Sequence, residues 1–338
     1  MSLFDSPGVI GAGQLTRPMA ELGGADPLAL ATEEYGQVVE HTIRRRSALE
    51  SFIQMRPVVG TTTLTDFAIG ETTLGKVTPG ETPEAQPAEF SKASISVDTV
   101  VYARNALPLL EVFQSHYDAR REIGIEHGKE MAKFRDQSLF IQAAKAADMT
   151  DSRFSDGSSD LPGFKGGSKV TLNASSDIDD PALLYSAIGD LFTQMEEKDV
   201  EPNQDDVIVA LRPKEFYTLM DAEQIVNGDY VTADGNELKD IFMFKAWGCP
   251  VIKSNNIPST NISGHLLSNS NNSNAYDGDF TKLGALAFSP RALLGGETIP
   301  LTSDVYYEKL EKSWFVDSHM AYAVTPNRAE FAGSIWLP

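Results

Sequence analysis

The sequence predicts an α+β protein whose strands and helices are segregated along the chain rather than wound in alternating units. Three observations carry this. Pro108 to Ala147 is a helical stretch of roughly forty residues with no internal proline. The segment before it, residues 57–107, is rich in Thr, Val, Ile and Phe at strand-like alternation. The segment after it holds short helical and strand signals, and further strand runs follow near the C-terminus.

The bulk properties set the frame. The chain has 338 residues, 41% hydrophobic and 22% charged, ordinary for a globular protein, and its length predicts a sizeable core and two domains. No run of 18 apolar residues occurs, so no membrane span is expected. Met1 to Ile10 has neither a basic flank nor an apolar core, so no secretory signal is expected. The single cysteine, Cys249, cannot close an internal disulfide, which fits a reducing compartment. With 48 acidic and 28 basic residues the net charge is −20, which disfavours tight binding to phosphate backbones. That charge serves solubility, or a life beside nucleic acid without sticking to it.

In order, residues 1–31 carry Pro7, Gly8, Gly11, Gly13, Pro18, Gly23, Gly24 and Pro27, and read as an extended arm. Thr32 and Glu33–Glu34 open a helical segment through Met55, interrupted by the basic run Arg44–Arg46, which is expected to meet acidic protein rather than DNA. Val58, Thr61, Thr63, Thr65, Phe67 and Ile69, then Ile95, Val97, Thr99 and Val101, read as the two strands of a long excursion. The stretch Thr78 to Pro87 between them holds three prolines and a Pro79-Gly80 turn, so it is the polar tip. A lone two-stranded ribbon is marginal in water, so this one is expected to rest on another subunit.

Along the rod, Leu110, Phe113, Tyr117, Ile123, His127, Met131, Phe134, Ser138 and Ile141 recur mostly every three or four residues, one helical face. Charged residues, Asp136 among them, take the other positions. At ~1.5 Å per residue such a rod spans roughly 60 Å. A domain of 100–150 residues has a radius of gyration of only ~13–15 Å, so the rod needs something extended beside it. Gly124 and Gly128, one turn apart, mark either a close backbone approach or a local bend.

Beyond the rod, Asp148 to Lys169 is a Gly/Ser/Asp loop, followed by a short strand at Val170–Leu172. Asp179 or Asp180 before Pro181 starts a helix that runs to about Lys198, with Leu183, Leu184, Ile188, Leu191, Phe192 and Met195 on one side. Val207–Leu211 is a buried strand and Pro213 opens a helix to Met220. Residues 227–240 are a polar loop, Cys249–Lys253 a strand, and Ser259–Asp279 an Asn/Ser-rich loop. Leu283–Phe288, Val305–Leu310, Trp314–Val316 and Met320–Val324 complete the strands.

The search for chemistry gives no catalytic, cofactor-binding or metal residue. Gly163 to Lys169 has Gly-Ser-Lys where a phosphate loop needs Gly-Lys-Ser/Thr, so it reads as a loop. Gly11-Ala12-Gly13 lacks the third glycine of a dinucleotide fingerprint. No nucleophile elbow or His-Glu-x-x-His motif occurs. His116 and His127 share a face but ~16 Å of helical rise separates them, too far for one metal. Asp177, Asp179 and Asp180 lack the glycine and distal glutamate of a calcium loop and read as helix caps. No enzyme is predicted.

The order of arm, ribbon, spine helix, inserted α/β section and returning strands resembles the Hong Kong 97-type phage capsid fold. Several stretches resemble, more closely, the major capsid proteins of short-tailed (podovirus, Autographiviridae-like) tailed phages. They are Thr78-Pro79-Gly80-Glu81, Ser115 to Arg120, Val207–Tyr217, Gly248–Pro258 and Leu301–Thr325, covering in order most of residues 35–325. The resemblance implies an N-terminal arm and short helix at 1–56, an extended loop at 57–107, the spine helix and first part of a peripheral domain at 108–180, an axial domain at 181–290, and returning peripheral strands at 291–338. It implies a capsid protein whose pentamers and hexamers form an icosahedral shell around double-stranded DNA, in the virion and, during assembly, the host cytoplasm. A scaffolding protein, a portal protein and, in some members, a decoration or cement protein are the implied partners. Lys76 lies in the extended loop, but no partner asparagine is specified, so no covalent cross-link is predicted. The alternatives are an encapsulin-like nanocompartment shell and an acidic α+β enzyme with an unrecognised site.

Overall fold

A computed structural model describes residues 39, 41–42, 47, 49, 52–72, 74–76, 80, 82, 85, 88–108, 119–155, 159–222 and 244–338. The predicted arm, Arg44–Arg46, His116, most of the ribbon tip and the 227–240 loop lie outside them. The chain divides into two units. The first takes described residues from Met1–Ser47, Val100–Lys133 and Ile299–Ala321; the second takes Ala48–Thr99, Phe134–Thr298 and Tyr322–Pro338.

The strands, in chain order, are β1 (Met55–Pro57), β2 (Thr63–Ile69), β3 (Phe90–Ser96), β4 (Val101–Pro108), β5 (Ser168–Thr171), β6 (Ile208–Leu211), β7 (Phe244–Ala246) and β8 (Cys249–Lys253). They continue with β9 (Asn261–Ile262), β10 (Gly278–Asp279), β11 (Leu283–Phe288), β12 (Leu293–Glu308), β13 (Ser313–Pro326) and β14 (Ala332–Trp336). The α-helices are α1 (Ala119–Asp148), α2 (Pro181–Glu196) and α3 (Pro213–Met220).

In the first unit β4 pairs antiparallel with β13, from Ser313↔Pro108 to Met320↔Val101. Val316, Ser318 and Met320 alternate inward and are buried. His127 of α1 is buried beside them, and its Nε2–H donates to Asn105 Oδ1 of β4 at 2.8 Å. Burial holds the His127 imidazole below its usual value, with Asp317 opposing. On the other face of the ladder, Arg104 Nη2 donates to Asp317 at 2.7 Å. Gly128 is the close approach its sequence position allowed. A Cβ there would stand 2.7 Å from Thr42 Cβ and 2.9 Å from the Val39 carbonyl oxygen, so a helix-lowering glycine is the residue that fits.

The second unit is built on a mixed six-stranded sheet, order β5-β14-β11-β6-β8-β7. β11 is antiparallel to β14 and β6, while β14–β5 and β6–β8 are parallel. Every residue of β6 and β11 is buried, as their continuous apolar runs require. α2 buries Leu184, Ala187, Ile188, Leu191, Phe192 and Met195. It lies so close to β14 that a Cβ on Gly333 would meet Leu191 Cδ1 at 2.8 Å. The predicted start of α2 is the observed one: Asp180 accepts from the amides of Ala182 and Leu183 at 2.9 and 3.2 Å, with Pro181 in the first turn.

Five expectations change. Pro108 ends β4 instead of opening the rod; α1 is described from Ala119 and has 30 residues, ~45 Å of rise. The single apolar face holds only for its first half. From Phe134 onward Leu139, Phe140, Ala143, Ala144 and Gln142 are buried as well, and so is Asp136, which accepts from Asn256 Nδ2 at 3.2 Å. Met55 is not helical: Met55–Pro57 pairs in parallel with Gly295–Glu297 of β12, close enough that a Cβ on Gly295 would meet Met55 Sδ at 2.3 Å. Val101 belongs to β4 and the β13 ladder, not to the ribbon, and the three predicted C-terminal strand runs are two long strands, β12 and β13.

Candidate interaction surface

The ribbon is β2 paired antiparallel with β3, from Thr63↔Ser96 to Ile69↔Phe90. Side chains alternate across it, so its two faces have different compositions. One face carries Ala68 and Ala93, both buried, in a cluster with Phe154 and Leu161 and with Phe164 packed against it. The Phe154 and Phe164 rings are 5.1 Å apart. Only small residues let the ribbon sit this low on the 154–164 segment. Gly70 continues the fit, since a Cβ there would already touch Pro162 and Leu161 at 3.2 and 3.3 Å. The inner face therefore rests on its own chain, where the expectation was that the ribbon rests on another subunit.

The outer face is the unexpected one. Phe67, Ile69 and Phe90 are 76%, 61% and 70% exposed, and Leu74 beyond them is 98% exposed. Ile69 and Phe90 are directly opposed, and Phe67 follows two residues along the same face. Fully burying one such side chain is worth about 1.5–3 kcal/mol, so three together on one face make a surface that gains by being covered.

Polar side chains fix the ribbon's root. Asp66 accepts from Arg56 Nη1 and from Asn327 Nδ2, both at 2.9 Å. Arg153 donates to the Pro326 carbonyl at 2.6 Å, to Thr325 Oγ1, and to the Ser94 carbonyl of β3. These three acceptors are neutral oxygens, and burial pulls the guanidinium below its usual value. Asp98, just past β3, accepts from Asn269 and Asn271 Nδ2 at 2.8 and 3.2 Å.

The residues singled out for chemistry have structural places. Gly166 and Gly167 pack against the end of α1, where Cβ atoms would meet the Thr150 and Ala146 carbonyl oxygens at 2.2 and 2.3 Å. Lys198 Nζ donates to both of their carbonyls, so the segment is filled by a lysine instead of cradling a phosphate. Gly163, at φ +85°, turns over the Glu71 side chain. Asp177 accepts from Ala174 N at 2.8 Å and Asp179 pairs with Lys214 at 2.7 Å. The Cys249 thiol is buried and pushed up to about 11. Trp247 stacks on Tyr185 with ring centres 5.0 Å apart, over Gly189, where a Cβ would meet its ring at 2.9 Å. Among the described residues no group of three or more His, Cys, Asp or Glu side chains could hold a metal ion, and no helix is long and apolar enough to cross a membrane.

No protein-family profile and no characterised protein matches the sequence. Solved structures do match the fold. The capsid structure of the cyanophage P-SCSP1u aligns with TM-score 0.70 and 18% identity over 85% of this chain and 86% of that one. The mature capsid of bacteriophage PhiM1 aligns with TM-score 0.68 and 21% identity over 86% and 87%. The virus-like particle from Pyrococcus furiosus aligns with TM-score 0.53 and 12% identity over 90% and 99%. The chain thus has the Hong Kong 97-type phage capsid fold.

Proposed function

We propose that this chain is a major capsid protein of a short-tailed tailed phage, assembling through pentamers and hexamers into an icosahedral shell around double-stranded DNA. The observation that carries the reading is the ribbon: its inner face is seated on its own chain while Phe67, Ile69 and Phe90 face outward uncovered. In a fold shared with capsid proteins, a second copy is the natural cover. A surface patch that docks on a different patch of the next copy closes into rings and then into a wall.

Within 57–107 the ribbon at 63–96 acts as the extended loop; 181–290 acts as the axial domain, and 108–180 with 291–338, joined by β4, as the peripheral domain. Residues 1–31, which lie outside the described residues, are the proposed arm toward a neighbouring copy. The net charge of −20 keeps the inner wall from gripping packaged DNA. A scaffolding protein and a portal guide assembly, and a decoration protein is the further partner.

The test is negative-stain microscopy of the protein expressed alone and with a scaffolding protein. Uniform shells support the proposal; discrete monomers or dimers under both conditions refute it. A second reading, an encapsulin-like compartment, draws on the likeness to the Pyrococcus virus-like particle. The contents of native particles separate the two: nucleic acid supports the phage shell, a protein cargo the compartment.

A further inference from the structure

The Asn/Ser-rich segment 259–279 is bonded far more densely than its composition suggests. Asn272 Oδ1 accepts from the amides of Asn269 and Ala275 at 3.0 and 3.2 Å, and its Nδ2 donates to the Leu267 carbonyl at 2.6 Å. Asp277 accepts from Gly264 N at 2.8 Å, His265 N at 3.0 Å and Ser268 Oγ at 2.6 Å. At the centre lies His265. Its ring is stacked between Phe134 of α1, centroids 5.0 Å apart, and Tyr276, 5.2 Å apart.

The ring's two nitrogens are not equivalent. Leu267 N–H donates to Nδ1 at 3.3 Å, so Nδ1 holds the lone pair and the neutral ring carries its hydrogen on Nε2. Nε2 is buried and meets no hydrogen-bond partner among the described residues. A second proton therefore has only Nδ1 to occupy, where it would face the Leu267 N–H instead of accepting from it. The carboxylate that acts on the ring, Asp277, already takes the backbone and hydroxyl donors named above. On α1, Lys145 feels Asp277, while Arg135 and Asp136 act on Tyr322 of β13.

The segment has one fixed end and one that depends on His265. Tyr276 is anchored separately, its hydroxyl donating to the Val324 carbonyl and accepting from Val324 N, both at 2.8 Å. Gln142 Nε2 of α1 donates to the Ala275 carbonyl at 3.0 Å. Residues 264–272 are held through His265 and Asp277, and that half supplies the Asn269 and Asn271 amides that grip Asp98 at the ribbon root. We propose that His265 is an acid-sensitive latch: protonation of Nδ1 releases residues 264–272 from α1 and, with them, the hold on Asp98 beside β3.

Burial sets the His265 imidazole below its usual value, with Asp277 pulling partly back. A base held lower in the closed form than in the open one gives stability that is complete above the open-form value of about 6.5 and is lost as pH falls below it. Asp277 is held down by its hydrogen bonds, from Ser268 first. Burial raises Asp98, and the Asn271, Asn269 and Thr99 hydrogen bonds more than offset it. Both stay ionised across that window, so the change there belongs to histidine.

Hydrogen exchange of the full-length protein, read by mass spectrometry at about pH 7.5 and about pH 5 and corrected for intrinsic chemistry, tests this. Peptides over 259–279 and over Asp98 should lose protection about tenfold at the lower pH, while β6 holds. His265→Phe, which keeps a ring between Phe134 and Tyr276, should show no such dependence. Unchanged protection in the unmodified protein, or the same loss in His265→Phe, overturns the latch. Exchange of the imidazole C2 proton in the unmodified protein reads the midpoint of His265 directly. A value clearly below about 6.5 supports the latch, and one at or above it overturns it.

Discussion

The β6–β11 ladder and the β2–β3 ribbon are both antiparallel pairs in the second unit, and they spend their apolar residues in opposite ways. In β6 and β11 every side chain is buried, with Phe288 edge-on to Phe140 at 6.2 Å. In the ribbon the buried positions are Ala68, Ala93 and Ile95, while Phe67, Ile69 and Phe90 face out. The first arrangement stabilises the chain by itself. The second gives up that stabilisation within one molecule and leaves an apolar face uncovered.

Substitutions on either side sharpen the contrast. Phe288→Ala should cost about 3–5 kcal/mol in chemical unfolding, because it leaves a cavity in the sheet core. Arg153→Ala removes charged hydrogen bonds to three neutral oxygens. It should cost about 2 kcal/mol and raise hydrogen exchange in β3 around Ser94. Ala93→Leu overpacks the seat against Phe154 and should cost about 1–3 kcal/mol, lifting the ribbon. Asp180→Ala uncaps α2 for about 1 kcal/mol, a reference value for a local change. The triple change Phe67→Ser, Ile69→Ser, Phe90→Ser should alter unfolding by about 0.5 kcal/mol or less per site, yet abolish particles in sedimentation. If that triple variant instead unfolds like Phe288→Ala, the ribbon's outer face belongs to the core and the contrast fails.

What could be read from the sequence follows the same division. α2, β6, α3, β8 and β11 lie close to their predicted limits because their signals are local: an Asp180-Pro181 start, Pro213 after a strand, and short apolar runs. The first ribbon strand was legible from alternation, while the second, Phe90–Ser96, shares only Ile95 with its expected run, and alternation gives a period and not a phase. Which of Phe67 and Ala68 faces inward is decided by Phe154, Leu161 and Phe164, more than eighty residues away. The burial of Asp136 likewise depends on Asn256, 120 residues distant, and a helical period cannot see it. The outer patch was in the sequence as three residues; only the small residues between them, read as a face, would have pointed to it. The His265 stack was hidden for the same reason, since Phe134 comes from another element.

The first unit closes where Arg104 meets Asp317, 213 positions later in the chain. A polypeptide leaving the ribosome N-terminus first cannot finish that ladder until almost all of it has been synthesised. Incomplete chains thus carry the ribbon long before they carry the sheet. A translation product stalled just before β13 therefore carries the uncovered ribbon face while the strand that closes the first unit is still missing.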